Sequence, residues 1–222
     1  MIKVVLSVFV LASAGLSPVG EASDDTAKAQ YFSCMSCHGE RGEGSDAIHA
    51  PALAGQSADY LSRQLKYFRD GLRGHADGDV YGQQMALMAA NFARNEQGDA
   101  AIESLAQLIS RMLVVSPPKN SVASLRFSKE RASRLRSRGE TLAQSCSACH
   151  GQSGEGNAAL SAPRIAGLSL VYLRTQLHNF KEGRRGASAV DVQGQMMRNS
   201  LQALNSEADL QALAYYFSTL EP

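Results

Sequence analysis

The sequence predicts an all-α protein built from two copies of one small domain in tandem. Two observations carry this prediction. A cysteine pentad, Cys34–His38, recurs as Cys146–His150, and many neighbouring residues recur at the same offset of 112 positions. Between these landmarks apolar residues return at three- and four-residue spacing, which is typical of amphipathic helices, and no segment shows convincing strand alternation. Repetition at a fixed offset indicates a duplicated structural unit.

The repeat continues beyond the pentads without an insertion. The matched residues are Gly39/Gly151, Gly42/Gly154, Gly44/Gly156, Pro51/Pro163, Ala54/Ala166, Gly55/Gly167, Tyr60/Tyr172, Leu61/Leu173, Gln64/Gln176, Leu65/Leu177, Phe68/Phe180, Gly71/Gly183, Arg73/Arg185, Gly74/Gly186, Gly82/Gly194 and Met85/Met197. Later the offset falls to 108, as in Ile102 and Leu210. The first half therefore has four extra residues, which we predict to form a loop around Asn95 to Gly98.

Helices are expected on both sides of each pentad. The helices that lead into the pentads end near them, and glycine-rich loops follow, where the backbone must pass close to a bound group. The two late methionines are expected in irregular stretches after Gly82 and Gly194. The predicted helices are Asp24 to Phe32, Ser57 to Phe68 and Asp99 to Met112 in the first half, and Lys129 to Ser145, Ser169 to Phe180 and Glu207 to Leu220 in the second.

Composition excludes several classes of protein. Of the 222 residues, 44% are hydrophobic and 19% charged, and the formal net charge is +1. These values exclude a mostly disordered chain, a nucleic-acid binder that acts through bulk charge, and a multi-pass membrane protein. Aromatic residues make up only 6% and Trp is absent, so we expect a bound group to complete each core.

The N-terminus has the pattern of a secretory signal. Lys3 precedes an apolar run from Val4 to Leu16, and Gly20-Glu21-Ala22 provides a small-residue cleavage site. The run is shorter than the ~17–25 residues that a spanning helix needs. An uncleaved N-terminal anchor is the alternative. We therefore predict a signal peptide over 1–22, domain 1 over 23–115, a linker over 116–128 and domain 2 over 129–222.

The pentads Cys34-Met35-Ser36-Cys37-His38 and Cys146-Ser147-Ala148-Cys149-His150 match the attachment signature of c-type haem. The two thiols of each pentad add to the two vinyl groups of one haem, and the adjacent imidazole binds the iron. A thioredoxin-like redox pair does not require the histidine. A four-cysteine zinc site would leave both histidines unused, and local disulfides would close strained rings. Two covalent haems c, each with its iron, are therefore predicted.

The duplication also selects the second axial ligands. Methionine is the usual sixth iron ligand in electron carriers. Only Met85 and Met197 are matched by the 112-residue offset, so we assign them with His38 and His150 as the axial ligands. Met88, one helical turn further on, is the alternative to Met85. The unmatched methionines and histidines are expected to be packing or surface residues: Met88, Met112, Met196, His49, His75 and His178.

With these features the mature chain resembles the cytochrome c4 family, which consists of two class I cytochrome c domains in tandem. The resemblance is carried by both pentads, the Pro-x-x-Ala-Gly segments that begin at Pro51 and Pro163, both Tyr-Leu-x-x-Gln-Leu helices and both late methionines. It implies two cytochrome c-like domains, each around one haem. It also implies that the Pro51 and Pro163 carbonyls accept hydrogen bonds from the proximal histidines, as ligating histidines require.

The resemblance implies an electron-transfer protein rather than an enzyme, with no small-molecule substrate. The expected role is a periplasmic one-electron carrier between a quinol-oxidising complex and a terminal oxidase, loosely held at the membrane. The alternatives are the haem-bearing subunit of a flavocytochrome-type sulfide dehydrogenase, or a dihaem oxidase or peroxidase with one open iron. A peroxidase needs a vacant distal position with acid–base residues beside it, and the duplicated methionines argue against one.

Charge is distributed unevenly between the halves. Residues 23–115 contain 8 Lys and Arg against 12 Asp and Glu, whereas residues 116–222 contain 13 against 8. Much of the basic excess lies in a short segment that includes Arg131, Arg134, Arg136 and Arg138. The segment is either a solvated helix face or a surface that docks an acidic redox partner or a membrane.

Overall fold

A computed structural model describes residues 19–115, 127–204 and 206–222. Most of the predicted signal peptide and linker, residues 1–18 and 116–126, lies outside the described residues. The last four residues of the predicted signal peptide, 19–22, already belong to the first helix. The domain boundaries therefore stay a prediction.

The first half contains four α-helices. The longest, α1, runs through the first pentad to its histidine, and a short 3₁₀ turn over Asp46–Ile48 follows. The next helix begins at the Ser57 cap, whose side chain accepts from the Tyr60 N–H, and ends at Gly71 in the left-handed conformation. The helices are α1 Val19–His38, α2 Ala58–Asp70, α3 Val80–Ala89 and α4 Glu96–Ser110.

The second half repeats this order with one break. The helix that leads into the second pentad stops at Ala143, and a separate short helix carries the end of the pentad. Ser169 caps the next helix as Ser57 caps α2. The helices are α5 Lys129–Ala143, α6 Ser147–His150, α7 Leu170–Lys181, α8 Val192–Ser200 and α9 Glu207–Ser218.

Packing follows the duplication. In the first half α4 packs against both α1 and α2, and in the second half α9 packs against both α5 and α7. The first core contains Tyr31, Leu61, Leu105 and Ile109, and the second contains Leu173, Leu213, Tyr215 and Phe217. Within the described ranges no strand forms, and only two isolated bridges, Ser45–Ala50 and Asn157–Ala162, occur. The all-α prediction is confirmed.

Two sequence-based expectations about local structure were wrong. Met85 and Met197 lie on helices α3 and α8 rather than in irregular stretches. The side chains of Asp79 and Asp191 accept from the N–H groups of Gly82 and Gly194, so each helix begins before its glycine.

The extra residues of the first half also fold differently from the prediction. Asn95 caps α4 by accepting from the Gly98 N–H, and the helix begins at Glu96 instead of after a loop. The insertion therefore lengthens α4 at its N-terminus: α4 has 15 residues and α9 has 12. Asn95 and Gly98 thus form a helix cap rather than the predicted loop.

Candidate haem centres

Each pentad histidine is buried and held by the same bond. Nδ1 of His38 donates to the Pro51 carbonyl at 2.9 Å, and Nδ1 of His150 donates to the Pro163 carbonyl at 2.8 Å. A carbonyl oxygen can only accept, so the Nδ1 proton is fixed and Nε2 is left as the lone-pair nitrogen. This is the geometry that the resemblance implied, and it presents Nε2 as an iron ligand.

Burial keeps both imidazoles neutral. The pKa of His38 and the pKa of His150 are lowered, mainly because the protonated ring would lose its hydration, although the proline carbonyls oppose this effect. Only the neutral ring has a free lone pair on Nε2. The chemistry of the donor set therefore fits a haem iron in both halves.

A tight loop joins each histidine to its proline. The Gly44 N–H donates to the His38 carbonyl, and the Gly156 N–H donates to the His150 carbonyl. Both glycines have positive φ, and a Cβ on Gly44 would lie 2.5 Å from the Ala52 nitrogen. The repeated glycines are thus required for the loop to return the proline carbonyl beneath the imidazole.

The four cysteines lie in two separate pairs. Cys34 and Cys146 are half-buried, and Cys37 and Cys149 are exposed. Burial raises the pKa of the Cys34 thiol and that of Cys146. Among the described residues no group of three or more His, Cys, Asp or Glu side chains gathers into a metal site. The pentads are therefore not assembled into one four-cysteine centre.

Burial separates the matched methionines from their neighbours. Met85 is half-buried and packs with Phe68, Ala86 and Ala89, while Met88 is 43% exposed. Met197 is half-buried with its sulfur 3.9 Å from the Ser200 hydroxyl, while Met196 is 61% exposed. The methionines that the duplication selects are thus the more buried member of each close pair.

The three unmatched histidines have other contacts. The His49 ring stacks on Tyr81 with 4.5 Å between ring centres, and His75 lies 3.2 Å from the Arg73 carbonyl. His178 on α7 is 2.8 Å from a Glu207 carboxylate oxygen. Packing and surface contacts thus account for all three rings.

Sequence reasoning missed a polar cluster between the halves, which we call the twin-arginine cluster: Tyr60, Gln64, Arg73, Tyr172, Gln176 and Arg185. Arg73 donates to Gln64 at 2.6 Å and to Gln176 at 3.0 Å. Arg185 donates to Gln176 at 2.8 Å and to Gln64 at 2.9 Å. In the sequence these residues stand out only as matched positions of the repeat. Polar side chains that a duplication preserves at core-facing helix positions are the signal that would have found them.

The cluster buries two positive charges against neutral acceptors. Arg73 and Arg185 are buried, and their acceptors are amide oxygens together with the Tyr60 hydroxyl. The Arg73 Nε has no hydrogen-bond partner within the described chain. Burial alone would raise the pKa of Tyr60, but the two guanidinium groups outweigh it and lower that pKa to about 8. Buried cations are normally balanced by anions. The buried Asp191 carboxylate is one such charge that acts on Arg185.

The basic segment of the second half is partly structural. Arg138 contacts Asp209 at 2.8 Å, Arg136 donates to Thr219 at 3.0 Å, and Arg131 donates to Gln211 at 3.4 Å. These bonds join α5 to α9. Of the arginines singled out on α5, Arg134 is exposed. It is the one of the four whose guanidinium makes no bond to α9 in the described part of the chain.

The family model described as "Cytochrome c" matches this chain twice, over residues 25–112 and 137–221. A cytochrome c4 of Azotobacter vinelandii is 30% identical over 220 residues, which cover 96% of this chain and 97% of that protein. The chain belongs to the cytochrome c4 family. It is a dihaem cytochrome that carries two covalently bound haems c, each with its iron.

Two further proteins are similar to this cytochrome along most of its length. The crystal structure of reduced recombinant cytochrome c4 from Pseudomonas stutzeri matches with a TM-score of 0.68 and 25% identity, covering 89% of this chain and 98% of that one. A thiosulfate dehydrogenase electron acceptor of Stutzerimonas stutzeri (strain A1501) is 31% identical over 191 residues, 85% of this chain and 79% of that protein.

The family makes this cytochrome an electron-transfer protein whose partners are redox proteins. The prediction of two tandem cytochrome c-like domains is confirmed, as are the two haems. No helix in the described ranges is long and apolar enough to cross a membrane.

Proposed function

We propose that this cytochrome is a periplasmic one-electron carrier whose two irons are held by His38 with Met85 and by His150 with Met197. One observation carries the proposal: each half pairs a buried histidine braced by a proline carbonyl with a half-buried, repeat-matched methionine. Two strong axial ligands leave no open position for a substrate on the iron. The arrangement therefore favours electron transfer over peroxidase chemistry.

Cys34, Cys37, Cys146 and Cys149 would attach the haems, which supply one-electron exchange between ferric and ferrous iron. The protein residues fix the conditions of that exchange. The Pro51 and Pro163 carbonyls orient the imidazoles and increase their basicity, and the thioether sulfurs of the methionines favour the reduced state. Surrounding apolar residues such as Phe68 limit access of water to the methionine side.

The twin-arginine cluster supports communication between the two halves. Haem c carries propionate carboxylates, and Arg73 and Arg185 form a buried pair of cations suited to balance them. Each arginine donates hydrogen bonds to a glutamine of each half, so the cluster links the two halves directly. We infer internal electron transfer between the halves from this shared interface.

The proposed donor is a quinol-oxidising complex and the proposed acceptor is a terminal oxidase, with loose attachment to the membrane surface. The signal pattern of residues 1–22 supports export to the periplasm. Exposed cations such as Arg134 support docking to an acidic surface.

A specific observation favours a second donor. The thiosulfate dehydrogenase electron acceptor of Stutzerimonas stutzeri matches this chain at 31% identity over 191 residues, against 30% over 220 residues for the cytochrome c4 of Azotobacter vinelandii. A carrier with the same two haem sites would then receive its electrons from a periplasmic thiosulfate-oxidising enzyme. Mixing the oxidised cytochrome with each candidate donor and following haem reduction by stopped flow distinguishes the two roles.

The axial-ligand assignment is tested by four alanine variants of the exported holoprotein. Met85→Ala and Met197→Ala should each abolish half of the far-red Met-to-iron absorption band and open one haem to carbon monoxide. Met88→Ala and Met196→Ala are the matched controls, because each lies close to the assigned ligand but is more exposed. Both controls should keep two closed haems per chain.

Three results would overturn the proposal. Loss of the band in Met88→Ala with its retention in Met85→Ala would transfer the first ligand to Met88. Carbon monoxide binding by the wild-type protein would mean an open iron and would favour the oxidase or peroxidase alternative. Copurification of a flavoprotein would favour a subunit of a flavocytochrome-type sulfide dehydrogenase.

A further inference from the structure

A reciprocal pair of hydrogen bonds joins Gln56 of the first half to Arg164 of the second. The Gln56 Nε2 donates to the Arg164 carbonyl at 2.8 Å, and the Arg164 N–H donates to the Gln56 Oε1 at 3.1 Å. Both residues are 5% exposed. The two bonds together fix the orientation of the amide, because a flipped amide would place N–H groups against N–H.

The second of these bonds acts on the peptide unit that holds the second proximal histidine. The Arg164 N–H belongs to the same peptide group as the Pro163 carbonyl, which accepts from His150 Nδ1 at 2.8 Å. A chain of bonds therefore runs from His150 through the Pro163–Arg164 peptide to the Gln56 oxygen. Hydrogen bonds in such a chain polarise one another, so an acceptor at the peptide N–H makes its carbonyl a stronger acceptor.

Among the described residues, the first half has no equivalent series of hydrogen bonds. The Pro51–Ala52 peptide holds His38 in the same way, but the repeat partner of Gln56 is Leu168, which has no polar atom. Within the described residues the Ala52 N–H makes no hydrogen bond. Only the second haem site is thus joined by described hydrogen bonds from its proximal histidine, His150, to a side chain of the other half.

We propose that Gln56 is a positioning residue that lowers the reduction potential of the second haem from the first domain. A stronger pull on the Nδ1 proton makes the His150 imidazole more electron-rich and stabilises ferric iron. The inference rests on the proposed role of His150 as an axial ligand. Its consequence is a difference between the two potentials that depends on contact between the domains.

The expected effect is small but measurable. Cooperative strengthening of about 10–30%, acting on a hydrogen bond between neutral groups, corresponds to a change of about 1.1- to 2-fold in the equilibrium constant for reduction. For one electron a tenfold change is 59 mV, so the reduction potential of the second haem should change by about 2–20 mV.

The test is Gln56→Leu, which gives the first half the residue that the second half has at Leu168. The two midpoint potentials of the holoprotein are measured by spectroelectrochemistry and assigned to the haems by the NMR shifts of their axial ligands. The midpoint potential of the second haem should rise by the stated amount, and that of the first haem should stay unchanged. Tyr67→Phe is the matched control, because it removes another hydrogen bond between the halves, from Tyr67 to the Val190 carbonyl. It leaves the hydrogen bonds from His150 to Gln56 in place.

Unchanged potentials in Gln56→Leu, or an equal shift of both haems, would overturn the inference. The inference would also be overturned if Tyr67→Phe shifted the potential of the second haem as much as Gln56→Leu does. The shift would then come from a general weakening of the contact between the domains.

A second measurement needs no variant and applies even if Gln56→Leu fails to fold. In the wild-type protein the His150 ring proton should exchange with solvent more slowly than the His38 ring proton, because its bond is stronger. Equal or faster exchange at His150 would also overturn the inference. If the wild-type spectrum lacks His–Met ligation, the proposed function fails first, and the two failures are thereby distinguished.

Discussion

Gly139 lies where α5 packs tightly against α9 in the second half. It lies on α5 and is buried, and a Cβ placed there would be 2.3 Å from the Ala212 carbonyl oxygen and 2.5 Å from the Tyr216 Cβ. Ordinary contacts of a Cβ begin at 3.4 Å. Gly139→Ala therefore forces α5 and α9 apart by about 1 Å.

The size of the effect follows from two opposing contributions. Overpacking of a tight contact costs about 1–3 kcal/mol, and the upper end applies because the main clash is with a backbone oxygen that cannot rotate away. Alanine in place of glycine within a helix returns about 1 kcal/mol. We expect the free energy of unfolding to fall by about 2 kcal/mol.

Urea unfolding of the holoprotein, followed by the haem absorption of the second domain, measures this change. With a slope of about 1–3 kcal/mol per molar urea, the midpoint should fall by about 1 M. Ser133→Ala is the control, because Ser133 is exposed on the same helix and its replacement removes no interhelical contact. An unchanged or raised midpoint in Gly139→Ala would refute the packing argument, since helix propensity would then outweigh the clash.

Two further predictions concern charge. Burial lowers the pKa of His38 and of His150, so below about pH 6.5 the unfolded chain binds more protons than the folded one. As the pH is lowered, the free energy of unfolding should therefore decrease by up to about 1.4 kcal/mol per pH unit for each histidine. Urea midpoints that stay constant between about pH 7 and pH 5 would contradict this. On α5, Arg134→Glu should weaken the salt dependence of electron transfer to an acidic partner without changing stability. Arg138→Glu should instead lower the unfolding midpoint, because it breaks the 2.8 Å pair with Asp209, and the opposite pattern would place docking at Arg138.

The two covalent haems could be predicted from the sequence because the chemistry of their attachment depends on spacing along the chain. The axial methionines stay a prediction, which the duplication supports by separating Met85 and Met197 from their neighbours. The proline bonds to His38 and His150 followed from a family resemblance and a general need of ligating histidines.

The interface could not be predicted in this way, since it depends on contacts between residues more than a hundred positions apart. Nothing local distinguishes Gln56 from an ordinary loop glutamine until Arg164 is brought against it. The methionine helices were missed for a local reason. Gly82 and Gly194 weaken the helical pattern, and only the caps at Asp79 and Asp191 show where each helix begins.

The twin-arginine cluster has the form of a self-complementary dimer interface. Arg73 binds Gln176 just as its repeat partner Arg185 binds Gln64, so equivalent residues exchange equivalent bonds across a pseudo-twofold axis. Contacts of this kind are what two identical chains make in a symmetric dimer. Because the two halves belong to one chain, this symmetric pairing needs no second molecule. Positions beside it need not obey the symmetry, as the contact of Gln56 with Arg164 shows.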